Sequence, residues 1–203
     1  MRTERGYARL VGFSDGVVAI AITVLILPLV DAASDYNGDV GQFVVEHVGN
    51  LLLFLLSFAV IGNFWINHHR MWENVTSYNG ALLWANLVWL LSIVFLPFPT
   101  ALLADSPSGD RATYALYVGT MVLTTAASLL MQLVIVRHPQ LQADDVRGTL
   151  GLGSSITPLG VMVVALLISQ LFPSVGLWGL ALFAVSGPIE GAVARSKTRR
   201  TTG

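Results

Sequence analysis

Long apolar runs alternate with short polar connectors along the chain, and six runs stand out. They cover about residues 12–30, 48–66, 81–104, 114–136, 156–172 and 175–189. Each of the first four reaches the roughly 20 apolar residues that a membrane-spanning helix needs. The last two are shorter and are separated by Pro173 and Ser174. They predict a tight helical hairpin, or alternatively a re-entrant pair that never crosses. The first run is long enough to span. It ends in Leu27-Pro28-Leu29-Val30 without a small-x-small site, so it reads as a helix rather than a cleavable leader. The pattern predicts an all-α membrane protein: one six-helix transmembrane domain over residues 1–203.

Charge sorts with the helices. Six crossings put both termini on one side. Arg2, Arg5, Arg9, Arg70, Arg137, Arg147, Arg195, Lys197, Arg199 and Arg200 then share one face, leaving Arg111 alone on the other. The positive-inside rule makes the crowded face, with both termini, cytoplasmic, and places the protein in the cell membrane. The opposite connectors carry Asp31, Asp35, Asp39, Glu46, Asp105 and Asp110. Residues 31–46 read as a polar extracytoplasmic turn, and the basic tail 195–203 as a cytoplasmic segment attracted weakly to anionic headgroups. The chain is 54% hydrophobic and 11% charged, against about 25% charged in soluble domains. A net charge of −1 supplies no field for nucleic acid. Cysteine is absent, which removes disulfides, thiolate nucleophiles and cysteine metal sites.

The chemistry concentrates at the start of the first helix, where Arg9-Leu10-Val11-Gly12-Phe13-Ser14-Asp15 opens an otherwise aliphatic run. A carboxylate there is costly and needs partners. On a helical wheel, Ile20, Val24 and Leu27 fall within about 60° of one another, Thr23 flanks them, and Asp15 lies about 140° from Ile20. The carboxylate and the stripe therefore face different ways. An aliphatic stripe packs against a neighbouring helix or forms a hydrophobic constriction that gates a pore by dewetting. Candidate partners for Asp15 stand at the end of the second helix, Trp65 and Asn67 to Arg70, and at Asn86 of the third. Arg9 is off-face for a pair with Asp15 within one helix and reaches toward a neighbouring segment.

Other chemistries find no constellation. His68 and His69 point about 100° apart and cannot chelate one ion together, while His47 and His138 fall on opposite sides. Ser14 and Asp15 are adjacent and do not face each other. No catalytic residues, cofactor or resident metal are expected, and the glycines of Gly151-Leu152-Gly153 read as a turn. A potassium-filter loop of the Thr-Val-Gly-Tyr-Gly type is absent. Pro97 and Pro99 predict a kink or unwound turn near the end of the third helix.

Arg9-x-x-x-Phe13-Ser14-Asp15, Trp65-x-x-His68, and Asn86-Leu87 followed by Phe95-Leu96-Pro97 resemble, in order, the motifs of the lysosomal and bacterial potassium channels called the transmembrane protein 175 family. The resemblance covers roughly the first hundred residues; the later helices fit by length and topology. It implies a homotetramer of six-helix subunits around a central pore lined by helix one, selective for potassium, with one repeat per chain as in bacterial members. It implies a bottleneck at Ile20, further pore layers at Val24 and Leu27, and a selectivity-related threonine at Thr23, with potassium bound only in transit. It also implies a network bracing helix one, made of Arg9, Phe13, Ser14, Asp15, Trp65, His68 and Asn86. The doublet His68-His69 departs from the family pattern. The alternative is a proton-coupled secondary transporter with Asp15 and His68 as a relay.

Overall fold

The computed structural model describes residues 4–34, 36, 38–105, 111–152, 156, 158–164 and 167. Among these the chain is helical: α1 (Glu4–Val24), α2 (Leu27–Ala33), α3 (Val40–Glu46), α4 (Val48–Glu73), α5 (Gly80–Phe95), α6 (Pro97–Asp105) and α7 (Arg111–Arg137), with a 3-10 turn at Pro139–Leu141. Four stretches are long and apolar enough to cross a membrane: Arg5–Ala33, Val48–Glu73, Gly80–Asp105 and Arg111–Arg137. Residues 156, 158–164 and 167 are helical within the fifth predicted run. The rest of that run, the whole sixth run and the basic tail lie outside the described residues.

Two spans are broken, and proline sits at each break. α1 gives way to α2 at Leu25 and Ile26, with Pro28 in the first turn of α2. Proline has no N–H, so the carbonyl of Val24 loses its donor four residues on. The chain tightens instead, with the Leu29 and Val30 amides both donating to the Ile26 carbonyl at 3.0 and 3.1 Å. Pro97 likewise opens α6 after the turn at Leu96, the kink that the two prolines predict. There the Thr100 hydroxyl donates to the Leu96 carbonyl at 2.9 Å.

Within 31–46 the described residues are mostly helical, where the sequence predicts a polar turn. α2 runs to Ala33, and α3 forms because the Asp39 carboxylate accepts from the amides of Gly41 (2.9 Å) and Gln42 (3.1 Å), an N-cap. α4 extends to Glu73, a full two turns past the apolar run, since polar residues at its end prolong a helix that leaves the apolar layer. Asn79 caps α5 by accepting from the Leu82 amide.

α5 and α7 share the most extensive contact. Leu82, Trp89 and Ile93 of α5 and Tyr117, Met121 and Met131 of α7 are buried to within a few per cent in the core between them. α1 packs against α4 and α5 with Leu10, Ser14, Val18 and Ala21, one continuous face of the helix that the buried Leu25 extends just past its end. The connectors following α4 and α7 are laced together at one end of the bundle. The Thr76 amide donates to the Leu141 carbonyl and that of Ala143 to Asn74. Buried Gln142 donates to the Ile135 carbonyl and accepts from the Gly148 amide.

Candidate functional site

The face of α1 opposite its packed side is open. Ile20 is 65% exposed, Leu27 51% and Val24 38%, and Thr23 stands beside them with its hydroxyl donated to the Ile20 carbonyl at 2.8 Å. That bond occupies the hydroxyl proton and leaves the oxygen's lone pairs free. None of the described residues covers this stripe. Arg9 and Phe13 lie on the same exposed side, eleven and seven residues before Ile20 respectively, close to whole turns of the helix. They stand apart from the hydrogen-bonded network in the single chain. Arg9 makes no side-chain hydrogen bond or ion pair with a described residue.

The opposite side of α1 is tied down in two directions. Asp15, half-buried, faces α4 and accepts from the Trp65 indole N–H at 2.8 Å. Ser14, one residue and about 100° away, is fully buried and faces α5. Its hydroxyl donates to the Leu10 carbonyl at 3.0 Å and accepts from the Asn86 carboxamide at 2.9 Å. Asn86, also fully buried, lies 2.8 Å from His68 Nε2. The same ring nitrogen accepts from the Trp72 indole N–H at 2.8 Å. Indole only donates, so a nitrogen accepting from Trp72 has no proton to give Asn86. Asn86 Oδ1 only accepts, so Nε2 serves one partner at a time: protonated it donates to Asn86, unprotonated it accepts from Trp72. The His68 ring stacks on Trp89 at 3.9 Å and 13°, and Tyr7 donates to the Trp72 carbonyl at 2.6 Å.

Trp65, Asp15, Ser14, His68 and Asn86 thus come together across three helices. Tyr7, Trp72 and Trp89 complete the cluster and were not anticipated. Trp72 was within reach of inspection, four residues beyond His68 on one helix face. Asp15 and His68 do not bond each other: Asp15 is held through Trp65, His68 through Asn86 and Trp72.

A second polar cluster occupies the other half of the bundle. Ser57 of α4 pairs with the Tyr117 hydroxyl of α7 at 3.1 Å and with the Thr100 hydroxyl of α6 at 3.2 Å, all three buried. Hydroxyls in an apolar span leave no periodic signature, so nothing in the sequence pairs these three. Among the described residues no group of three or more histidines and acids could hold a metal ion.

Residues 9–97 match the family model described as "Endosomal/lysosomal potassium channel TMEM175". A potassium channel of Streptomyces collinus is 35% identical over 164 residues, covering 75% of this chain and 80% of the relative. A potassium channel of Chamaesiphon minutus is 40% identical over 99 residues, 48% of this chain and 49% of its own. An endosomal/lysosomal proton channel of Danio rerio is 24% identical over 140 residues, 27% of that longer protein. The crystal structure of a lysosomal potassium-selective channel TMEM175 homolog from Chamaesiphon minutus superposes with a TM-score of 0.72 at 26% identity, covering 92% of this chain and 98% of that one. The motifs on α1, α4 and α5, the helical fold they tie together and these relatives agree: the chain belongs to the transmembrane protein 175 (TMEM175) family.

Proposed function

We propose that the protein is a potassium-selective cation channel of the cell membrane, a homotetramer with six helices per subunit, both termini cytoplasmic, and α1 lining a central pore. The observation that carries this reading is the two-sidedness of α1: one face locked to α4 and α5, the other an uncovered aliphatic stripe. Four such stripes around an axis make a pore wall whose narrow ring is Ile20, with Val24 and Leu27 in further layers. The Thr23 oxygen, its proton already donated to Ile20, offers lone pairs to a dehydrating cation. Bulky aliphatic rings exclude water when narrow and admit hydrated ions when wide, so opening is a widening of the Ile20 and Leu27 rings. No filter loop is needed. The bracing residues Arg9, Phe13, Ser14, Asp15, Trp65, His68 and Asn86 keep α1 oriented, with Arg9 and Phe13 acting at the junction between subunits. The potassium-channel names of the Streptomyces and Chamaesiphon relatives favour potassium as the ion. The proton-coupled transporter reading is less favoured, because Asp15 and His68 sit on separate arms of the network.

The test is ion flux from liposomes holding the purified protein. Potassium efflux should exceed sodium efflux, and Ile20→Asn should raise total flux while lowering the ratio. Unchanged flux and ratio in Ile20→Asn would remove Ile20 from the bottleneck. Saturable flux that needs a pH gradient would favour the transporter.

A further inference from the structure

The departure from the family pattern, His69, has a defined place in the structure. Trp65, His69 and Glu73 recur every four residues on one face of α4 and form a column that ends on Asp15. The His69 and Trp65 rings stack at 5.4 Å and 30°. The Trp65 indole donates to Asp15 at 2.8 Å, and His69 Nε2 lies 3.7 Å from the Glu73 carboxylate. His69 differs from its neighbour in chemistry. His68 is buried and its Nε2 is engaged by Trp72 and Asn86. The His69 side chain is 45% exposed, so protons reach it, while its Nδ1 is buried with no partner among the described residues.

We propose that His69 is a positioning residue for helix α1: its ring, seated on Trp65 and tethered to Glu73, holds the indole on Asp15, and protonation of the ring tightens that hold. The proposal rests on the channel reading for its consequence, but not for the column itself. A neutral imidazole contributes contact only. An imidazolium adds attraction to the indole face and a charge-assisted pair with Glu73. Electron density drawn toward the cation makes the indole N–H a better donor to Asp15. The titratable groups facing the column are Glu73 and His68 from α4, and Asp15 and Tyr7 from α1. α5 carries no titratable side chain. Arg70 follows His69 but points about 100° away.

The full-length protein, labelled with 15N at its indoles, is followed by NMR in detergent from about pH 5 to 8, the range in which an imidazole titrates. The Trp65 resonance is identified by its loss in Trp65→Phe. It should titrate in the wild type, stay flat in His69→Phe, and hold near its acid-limit position in His69→Lys, which carries a permanent cation. Potassium efflux from liposomes should change roughly two- to five-fold across the same range, the factor expected of a cation on an indole, and lose that change in His69→Phe. Titration that persists in His69→Phe belongs to Asp15 or His68 and overturns the proposal. If His69→Phe does not fold, a His69→Lys resonance that still titrates overturns it equally. A titrating indole without flux at any pH would refute the channel reading and leave the column standing. Flux with a flat wild-type indole would overturn the column alone.

Discussion

His68 Nε2 has two suitors and serves one at a time, donating to Asn86 or accepting from Trp72, and this makes a quantitative prediction about both. Asn86→Leu keeps most of the side-chain volume and removes both carboxamide bonds. Neither former partner is orphaned, because Ser14 still donates to the Leu10 carbonyl and His68 still accepts from Trp72. The polar loss should therefore cost only about 1 kcal/mol, near the average for hydrogen bonds between membrane helices. Trp72→Phe removes the indole N–H, and His68 keeps Asn86. Its packing losses, including the contact with the Tyr7 ring, occur in either background and cancel in a double-mutant cycle. In the double variant the buried nitrogen loses both partners, which adds about 1–3 kcal/mol, or roughly 2–12 °C of melting temperature for a chain of this size. Thermal loss of the native size-exclusion peak in detergent measures all four proteins. Coupling below about 0.5 kcal/mol, the usual tolerance for independent sites, would show that the nitrogen is not shared.

Asp15→Ala orphans the Trp65 indole and should dissolve the assembly on size exclusion, whereas Asp15→Asn keeps an acceptor oxygen and should preserve it; a stable Asp15→Ala assembly with altered ion preference would place Asp15 in the conduction path. Thr100→Val removes the hydroxyl that bonds both Ser57 and the Leu96 carbonyl at the α5–α6 kink, and should lower stability by about 1–2 kcal/mol in thermal scans without changing the potassium-to-sodium flux ratio. Asp39→Ala removes the cap of a helix of only seven residues, at about 1 kcal/mol. Faster amide exchange confined to residues 40–46 should report it.

Four of the six expected spans are seen, and these were legible in the sequence because a bilayer imposes a length and an apolar composition on any helix that crosses it. The two faces of α1 were legible for the same geometric reason, since a fixed turn of about 100° per residue separates Asp15 from Ile20. The pairings were not. Asp15 had several candidate partners at the end of the second helix, and which of them met it depended on how α4 rotates against α1, which no local pattern encodes. Phe13 and Arg9 were readable from their spacing to Ile20, because whole helical turns put all three on one side; the motif's continuity in sequence hid this. α3 was hidden because a capped seven-residue helix looks like a polar loop until the Asp39 carboxylate is seen on the Gly41 and Gln42 amides. The Ser57, Thr100 and Tyr117 cluster had no signal, since single hydroxyls in apolar runs are commonplace.

Every side-chain hydrogen bond from α1 to another helix among the described residues lies at or before Asp15: Tyr7, Ser14 and Asp15 itself. Beyond that point only apolar contact holds the helix. α1 is therefore a cantilever, clamped at one end and free to bend at the other. At 1.5 Å per residue, Ile20 stands about 7.5 Å past the clamp and Leu27 about 18 Å, so a tilt of about 5° displaces them by about 0.7 and 1.6 Å respectively. Displacement grows with distance from the clamp, and the outer ring of the proposed pore moves farther than the inner one. A rod held this way converts small changes at the Trp65–Asp15 joint into a change of bore large enough to matter to a water molecule, with only the apolar contacts of Val18, Ala21 and Leu25 sliding against α4 and α5.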